Sequence, residues 1–132
     1  MASGYTDIGA GGRVRAIAAG LLGAAGVAPA AVAAHRVADP ALVTASNFLI
    51  LHAAAALAIV AKAATSPRPR TWVLAAVMLV AGTALFSGDI TARSYLGARL
   101  FPFAAPIGGT LMIASWLAVA FVAILELRFS RK

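Results

Sequence analysis

The chain has 132 residues, of which 62% are hydrophobic and 11% are charged, and its formal net charge at pH 7 is +7. Soluble domains carry about 25% charged residues, so this composition excludes an ordinary water-soluble protein and indicates an integral-membrane protein. The absence of cysteine excludes disulfides, thiolate metal sites and cysteine nucleophiles. Because the basic residues lie at the ends of apolar segments and form no long block, the sequence predicts no nucleic-acid binding.

Four apolar segments follow one another along the chain, and each is long enough to cross a hydrocarbon core of roughly 30 Å as a helix. Lipid requires helices here, since an open strand would leave backbone groups without hydrogen bonds. The predicted helices cover residues 14–34, 42–64, 71–92 and 106–125. The sequence therefore predicts an all-α fold, an integral-membrane four-helix bundle that forms a single transmembrane domain over residues 1–132.

The first segment is rich in small residues, and Gly20 and Gly23 predict a face on which another helix packs closely. The segment also has the features of a cleavable signal peptide, because arginines precede it and Ala31-Val32-Ala33 is a small-residue sequence near its end. Its apolar stretch is longer than that of a usual signal peptide. A retained membrane helix is therefore the favoured interpretation.

The second segment carries His52, which lies about ten residues into the predicted helix and so near the bilayer midplane. Ionisable residues at this depth are rare and face the bundle interior or a cavity. Together with Asn47, His52 forms a candidate intramembrane polar site. A neutral histidine that is hydrogen-bonded to a neighbouring helix is the favoured interpretation, because no acidic residue shares its depth; a proton relay, a ligand site or a cofactor ligand is the alternative. A haem shared with His35 is disfavoured, since the two histidines differ in depth by on the order of 10 Å or more.

Charged residues, prolines and glycines interrupt the apolar sequence between residues 85 and 110. Asp89 and Arg93 are four residues apart and therefore share one face of the third helix, which predicts an ion pair. One interpretation is a polar pocket on the outer side of the membrane, formed by His35, Asp89 and Arg93. The favoured interpretation is an interfacial pair that is exposed to water, contributes little to stability and anchors the end of the helix.

The fourth segment begins with Pro106, which is favoured in the first turn of a helix. Gly108, Gly109 and Trp116 are its predicted helix-packing residues, because small residues allow two backbones to approach in lipid. No nucleophile elbow, phosphate loop or dinucleotide fingerprint is present in the chain. The sequence thus predicts no enzyme activity, no catalytic residues, no cofactor and no metal site.

Lysines and arginines are distributed unequally between the two sides of the predicted membrane. Eight lie on the side of the termini, and three lie on the opposite side, namely Arg36, Arg93 and Arg99. The side with more positive charge faces the cytoplasm in most membrane proteins. The distribution predicts a multi-pass protein of the cell inner (cytoplasmic) membrane with both termini in the cytoplasm.

Four short segments carry a family resemblance: AAVAAH, NFLILHAAAALAI, AGTALFSG and APIGGTLMIASWLAVAF. In this order they resemble the YgdD/YwdK-like family of small four-helix membrane proteins, which has no assigned function. The chain departs from the family pattern at Arg36, Asp89 and Ser115, where the family more often has glycine or other small or apolar residues. The resemblance implies a four-helix membrane fold and carries no activity to this chain.

The sequence favours a small structural or accessory membrane protein that packs against lipids and other integral-membrane subunits, or against itself, without chemistry of its own. The alternative is an oligomeric transporter of a small solute, an ion or a lipid that uses His52 within the membrane. Transport requires a polar path through the membrane, and the sequence offers few polar residues to form one.

Overall fold

The computed structural model describes residues 9–35 and 39–129, which form four α-helices. The helices are α1 (Gly9–His35), α2 (Pro40–Thr65), α3 (Pro69–Leu96) and α4 (Ala104–Phe129). Each extends beyond its predicted range at both ends. All four are long and apolar enough to cross a membrane, so the prediction of an all-α protein with four apolar helices is confirmed.

The helix boundaries follow from local signals in the sequence. Asp39 caps α2, because its carboxylate accepts the backbone N–H of Ala41 at 2.9 Å and Pro40 occupies the first turn. Gly97 ends α3 in a left-handed conformation with φ of 67°, which glycine adopts without steric cost. We call the end of the molecule that holds the start of α1 and the α2–α3 connection the terminus end, and the opposite end the loop end.

Each helix packs mainly against the helix next to it in the sequence. α1 packs on α2, α2 on α3 and α3 on α4, while α1 touches α3 only lightly. Within the described ranges α1 and α4 share no packed interface. The four helices therefore form an open bundle with α2 and α3 at its centre, and the largest cluster of buried apolar side chains includes Leu79 of α3 and Val122 of α4.

α1 and α2 approach most closely at Gly26. A Cβ atom at this position would lie 2.8 Å from the Cβ of Leu49 and 3.1 Å from the backbone nitrogen of Ile50, so a larger residue does not fit. The buried Ser46 side chain donates a hydrogen bond to the carbonyl of Gly26 and joins the two helices at the same place. This contact gives α1 a fixed position on α2.

α3 and α4 approach most closely where Gly82 faces Gly108. A Cβ atom at Gly108 would lie 2.6 Å from the carbonyl oxygen of Gly82 and 2.6 Å from the backbone nitrogen of Phe86. Ser115, which is fully buried, donates a hydrogen bond of 2.7 Å to the carbonyl of Ala75. A hydroxyl at position 115 thus bonds the two helices, which explains why serine is accommodated there.

The other predicted packing residues have different surroundings. Gly23 faces α2, and a Cβ atom added to it would lie 3.4 Å from the Cβ of Ala53. Gly20 is exposed, and a Cβ atom added to it would have no neighbour within 4 Å. A Cβ atom added to Gly109 would lie 3.9 Å from the Phe86 ring, which is an ordinary van der Waals distance. Pro106 is exposed in the first turn of α4. The expectation of close packing therefore does not hold at Gly20, since 100° of rotation per residue turns it away from the face that meets α2.

Candidate functional site

Polar side chains gather at three levels along the helices: at the loop end, in the middle and at the terminus end. The middle level contains His52, which lies at the centre of α2 and is 5% exposed. Its Nδ1 donates a hydrogen bond of 2.8 Å to the carbonyl of Phe48, and its Nε2 accepts the indole N–H of Trp116 at 3.4 Å. Both ring nitrogens are used, and this pattern fits a neutral imidazole with its proton on Nδ1.

Aromatic rings surround the imidazole on several sides. Phe48 stacks on His52 with a centroid distance of 5.3 Å, Phe86 lies 5.1 Å from Phe48, and Trp116 presents an edge to His52 at 6.2 Å. These four residues, which we call the His52 cluster, join α2, α3 and α4. Because aromatic contacts and the hydrogen bond from Trp116 to His52 link three helices, the cluster is suited to holding helices together.

Asn47 does not join this cluster. It lies five residues before His52, which is about 140° of rotation on an α-helix, so the two side chains point in different directions. Asn47 is exposed on the surface of α2, and Trp116 takes the place beside His52 that the sequence analysis gave to Asn47. A signal for the correct pair was present, since both His52 and Trp116 lie at the midpoints of their helices.

The loop end is organised around Asp89, which is 1% exposed. One carboxylate oxygen pairs with Arg93, and the other accepts the backbone N–H of Leu100 at 2.9 Å. The predicted ion pair is therefore present, with Arg93 exposed as expected, but Asp89 is covered because the α3–α4 loop folds back over its carboxylate. His35 ends α1, and its side chain lies outside the described residues. Asp89 thus fixes the loop onto α3.

A second contact at the loop end joins α2 to α3. The nearby Ser94 side chain and the backbone N–H of Ala41, which donates to the Asp39 carboxylate at 2.9 Å, lower the pKa of Asp39 below its ordinary value of 3.8. The start of α2 thus lies beside the end of α3. This contact was not predicted, because nothing in the sequence relates two residues so far apart.

The terminus end contains a cluster that the sequence analysis missed. One oxygen of the Glu126 carboxylate accepts bonds from the Ser66 hydroxyl and from the indole N–H of Trp72, the latter at 2.8 Å, while the other oxygen lies 3.0 Å from the Lys62 ammonium. The ammonium also lies 5.7 Å above the Trp72 ring. Glu126 therefore ties together the ends of α2 and α4 and the start of α3.

Two features of the sequence could have revealed this cluster. Glu126 is the only glutamate of the chain, and it lies at an end that is otherwise dominated by basic residues. An acid at the end of a membrane helix pairs most readily with a base at the same level, and Lys62 occupies that level. In the part of the chain that the structure describes, no three His, Asp or Glu side chains converge as metal ligands.

A family model matches more than half of the chain. Residues 18–109 match the family described as a protein of unknown function, DUF423. The chain belongs to this family. The matched region runs from α1 to the first turns of α4 and includes His52, Asp89 and the Gly82–Gly108 contact. No solved structure matches the chain, and the family description assigns no activity.

Proposed function

We propose that this DUF423 protein is a small integral-membrane accessory protein that packs against another membrane protein and performs no chemistry of its own. The observation that carries the proposal is Asn47, an exposed residue on α2 whose side chain has no hydrogen-bond partner among the described residues. The oligomeric transporter that uses His52 is the alternative. The hydrogen bonding of His52 favours the first function, since both of its ring nitrogens already have partners.

The depth of Asn47 makes its exposure costly. α2 has 26 residues and is about 39 Å long, so it exceeds a hydrocarbon core of roughly 30 Å by about 4–5 Å at each end. Asn47 lies about 10 Å from the start of the helix and therefore about 6 Å inside the hydrocarbon. A primary amide with no partner is unfavourable in that environment, and an amide or hydroxyl on a helix of another protein would satisfy it.

The surface around Asn47 is suited to such a helix. Asn47, Leu51, Ala54 and Ala58 lie on one exposed face of α2, which we call the Asn47 face. The two alanines permit close approach of a second backbone, and a polar side chain adds an interhelical hydrogen bond. These features support a membrane helix as the partner. Membrane lipids cover the remaining apolar surface, and nucleic acid is not among the proposed partners.

The test is purification from membranes in a mild detergent, followed by native mass spectrometry of the intact complex. We expect a second protein to remain bound to the wild-type chain and to be lost from the Asn47→Leu variant. Thr44→Val is the matched control, because Thr44 is an exposed polar residue of the same helix whose hydroxyl already bonds the carbonyl of Pro40. Co-purification of two differently tagged copies without any other protein would favour the transporter, and partner retention by Asn47→Leu would contradict the role of the face.

We further propose that both termini face the cytoplasm and that the protein resides in the cell inner membrane. The described basic residues support this orientation, since most of them lie at the terminus end. Cysteines introduced singly at Thr65 and Ala98, which are exposed at opposite ends of the molecule, should react with an impermeant reagent from opposite sides of the membrane. Labelling of both positions from the outside would contradict the orientation.

Within the family, we assign the chain to the YgdD/YwdK-like proteins. The support is the order of four sequence segments, which fall in α1, α2, α3 and α4 respectively. Two of the departures from the pattern also have a structural reason here, because Ser115 bonds the carbonyl of Ala75 and Asp89 fixes the loop.

A further inference from the structure

A groove runs between α1 and α3, because these helices touch only lightly and α2 forms the floor. In the half near the terminus end it forms a cavity of about 310 Å³ whose walls are apolar apart from Arg15. In the half near the loop end it forms a larger cavity of about 510 Å³, and Ala84 lines both. Among the lining residues of the first cavity are Ala18 of α1, Val60 of α2 and Ala81 of α3. A smaller and more polar cavity of about 130 Å³ adjoins it, is lined by Gly12 and Pro69 among others, and shares Arg15 and Val60 with it.

Arg15 therefore lies at the junction between the smaller, more polar cavity, which we call the mouth, and the apolar cavity. No carboxylate of the described ranges pairs with it, since Asp89 pairs with Arg93, Glu126 with Lys62, and Asp39 caps α2. A guanidinium at this position has unused donors that suit a phosphate oxygen. The charge at the mouth thus favours an anionic group there.

The terminus-end half of the groove has the length of one leaflet of a bilayer. Between Val73 at the mouth and Ala84 at the far end of the apolar cavity, α3 advances by eleven residues, or roughly 16 Å, and half of a hydrocarbon core is about 15 Å. The two cavities together hold about 440 Å³ (310 + 130), which over that length leaves a free section of roughly 27 Å², whereas a helix of about 10 Å diameter occupies roughly 80 Å². This section suits a single hydrocarbon chain better than a helix with its side chains.

We propose that this groove binds one acyl chain of an anionic phospholipid from the leaflet at the terminus end, with the lipid phosphate at Arg15. The apolar walls of the groove provide the binding energy. A methylene group of the acyl chain gains packing contacts when it moves from the surrounding lipid into a groove that fits it. Arg15 provides selectivity for the headgroup. The site does not depend on the Asn47 face, so the two proposals can fail separately.

The experiment is native mass spectrometry of the purified full chain with equal amounts of phosphatidylglycerol and phosphatidylcholine that carry the same acyl chains. We expect one phosphatidylglycerol to be retained in preference. Arg15→Gln should lower its retention by about fivefold, the factor that corresponds to about 1 kcal/mol per basic residue near an anionic lipid surface. Arg70→Gln is the matched control, because Arg70 is exposed at the same end and lines neither cavity.

A second pair of variants tests the apolar cavity. Ala81→Leu fills the apolar cavity and should abolish selective retention, whereas Ala120→Leu, on the exposed surface of α4, should leave it unchanged. Three outcomes would each overturn the proposal. Ala81→Leu could retain phosphatidylglycerol as well as the wild type, or Arg15→Gln and Arg70→Gln could lose it equally. The wild-type chain could also retain the two lipids equally. Loss of a dimer rather than of a lipid in Ala81→Leu would instead assign the groove to a second copy of the chain.

Discussion

Replacing Gly108 and Gly109 in turn by alanine tests the closest approach of α3 and α4. At Gly108 the added Cβ would lie 2.6 Å from backbone atoms of α3, and ordinary contact begins at 3.4 Å, so the helices must separate by about 0.8 Å (3.4 − 2.6). At Gly109 the nearest atom, on the Phe86 ring, is 3.9 Å away and nothing needs to move. The two variants differ in this contact alone.

Both substitutions gain the same helix propensity, up to about 1 kcal/mol, so that term cancels in the comparison. Overpacking of a close contact costs about 1–3 kcal/mol. We therefore expect the free energy of unfolding of Gly108→Ala to be lower than that of Gly109→Ala by about 1–3 kcal/mol. Gly82→Ala, on the opposite side of the same contact, should resemble Gly108→Ala, since its Cβ would lie 2.8 Å from the carbonyl of Gly108.

The assay is equilibrium unfolding in mixed detergent micelles with increasing sodium dodecyl sulfate, followed by far-UV circular dichroism. Gly20→Ala serves as a control for the gain in helix propensity, because a Cβ at Gly20 has no neighbour within 4 Å. If Gly108→Ala and Gly109→Ala unfold at the same detergent fraction, the contact is not as close as described and the reasoning is refuted.

Three further outcomes are expected. His52→Leu should lower the free energy of unfolding by about 1–2 kcal/mol, because it leaves the Trp116 indole N–H without an acceptor, while His52→Gln should lower it less; equal losses would show that the hydrogen bond is unimportant. Asp89→Ala should speed proteolysis of the α3–α4 loop more than Asp89→Asn, which keeps an acceptor for the loop amide, and a loop that resists protease in both variants would argue against this anchor. Because folding lowers the pKa of Asp39, the contribution of this carboxylate to stability is present above pH 3.8 and is lost as the pH falls through the lower pKa of the folded state. Ser94→Ala should reduce that loss in acid titrations of unfolding. An unchanged titration would rule out the Ser94 contact as the cause of the lowered pKa.

The number of helices could be predicted because it depends on local properties. Segment length, prolines between segments and the thickness of a bilayer are enough to place four helices. Their mutual rotation could not be predicted, because it depends on which of several small residues faces a neighbour. Gly26 and Gly108 lie at the crossings, whereas Gly20 does not, and an Ala-rich sequence offers no signal that distinguishes them.

The polar contacts divide in the same way. The Asp89–Arg93 pair is readable from its four-residue spacing, but the burial of Asp89 depends on the path of the following loop. Asn47 and His52 are close in sequence yet point apart, while Glu126 and Lys62 meet over a separation of 64 residues. For both His52 and Glu126, depth along the helix is the property of the sequence that could have indicated the partner. Side chains on different helices can pair only when they lie at the same depth.

The order of packing has a consequence for how the protein is made. Because almost every interface joins helices that are consecutive in the chain, each helix after α1 finds its partner helix already synthesised when it emerges from the ribosome, and loop-closure costs stay small. The hydrogen bond from Trp116 to His52 and the contacts of Glu126 with Ser66 and Lys62 are exceptions, since they reach from the last helix back to α2 and its end. Synthesis thus adds helices one at a time, and the contacts of Glu126 can form only after the last helix has been completed.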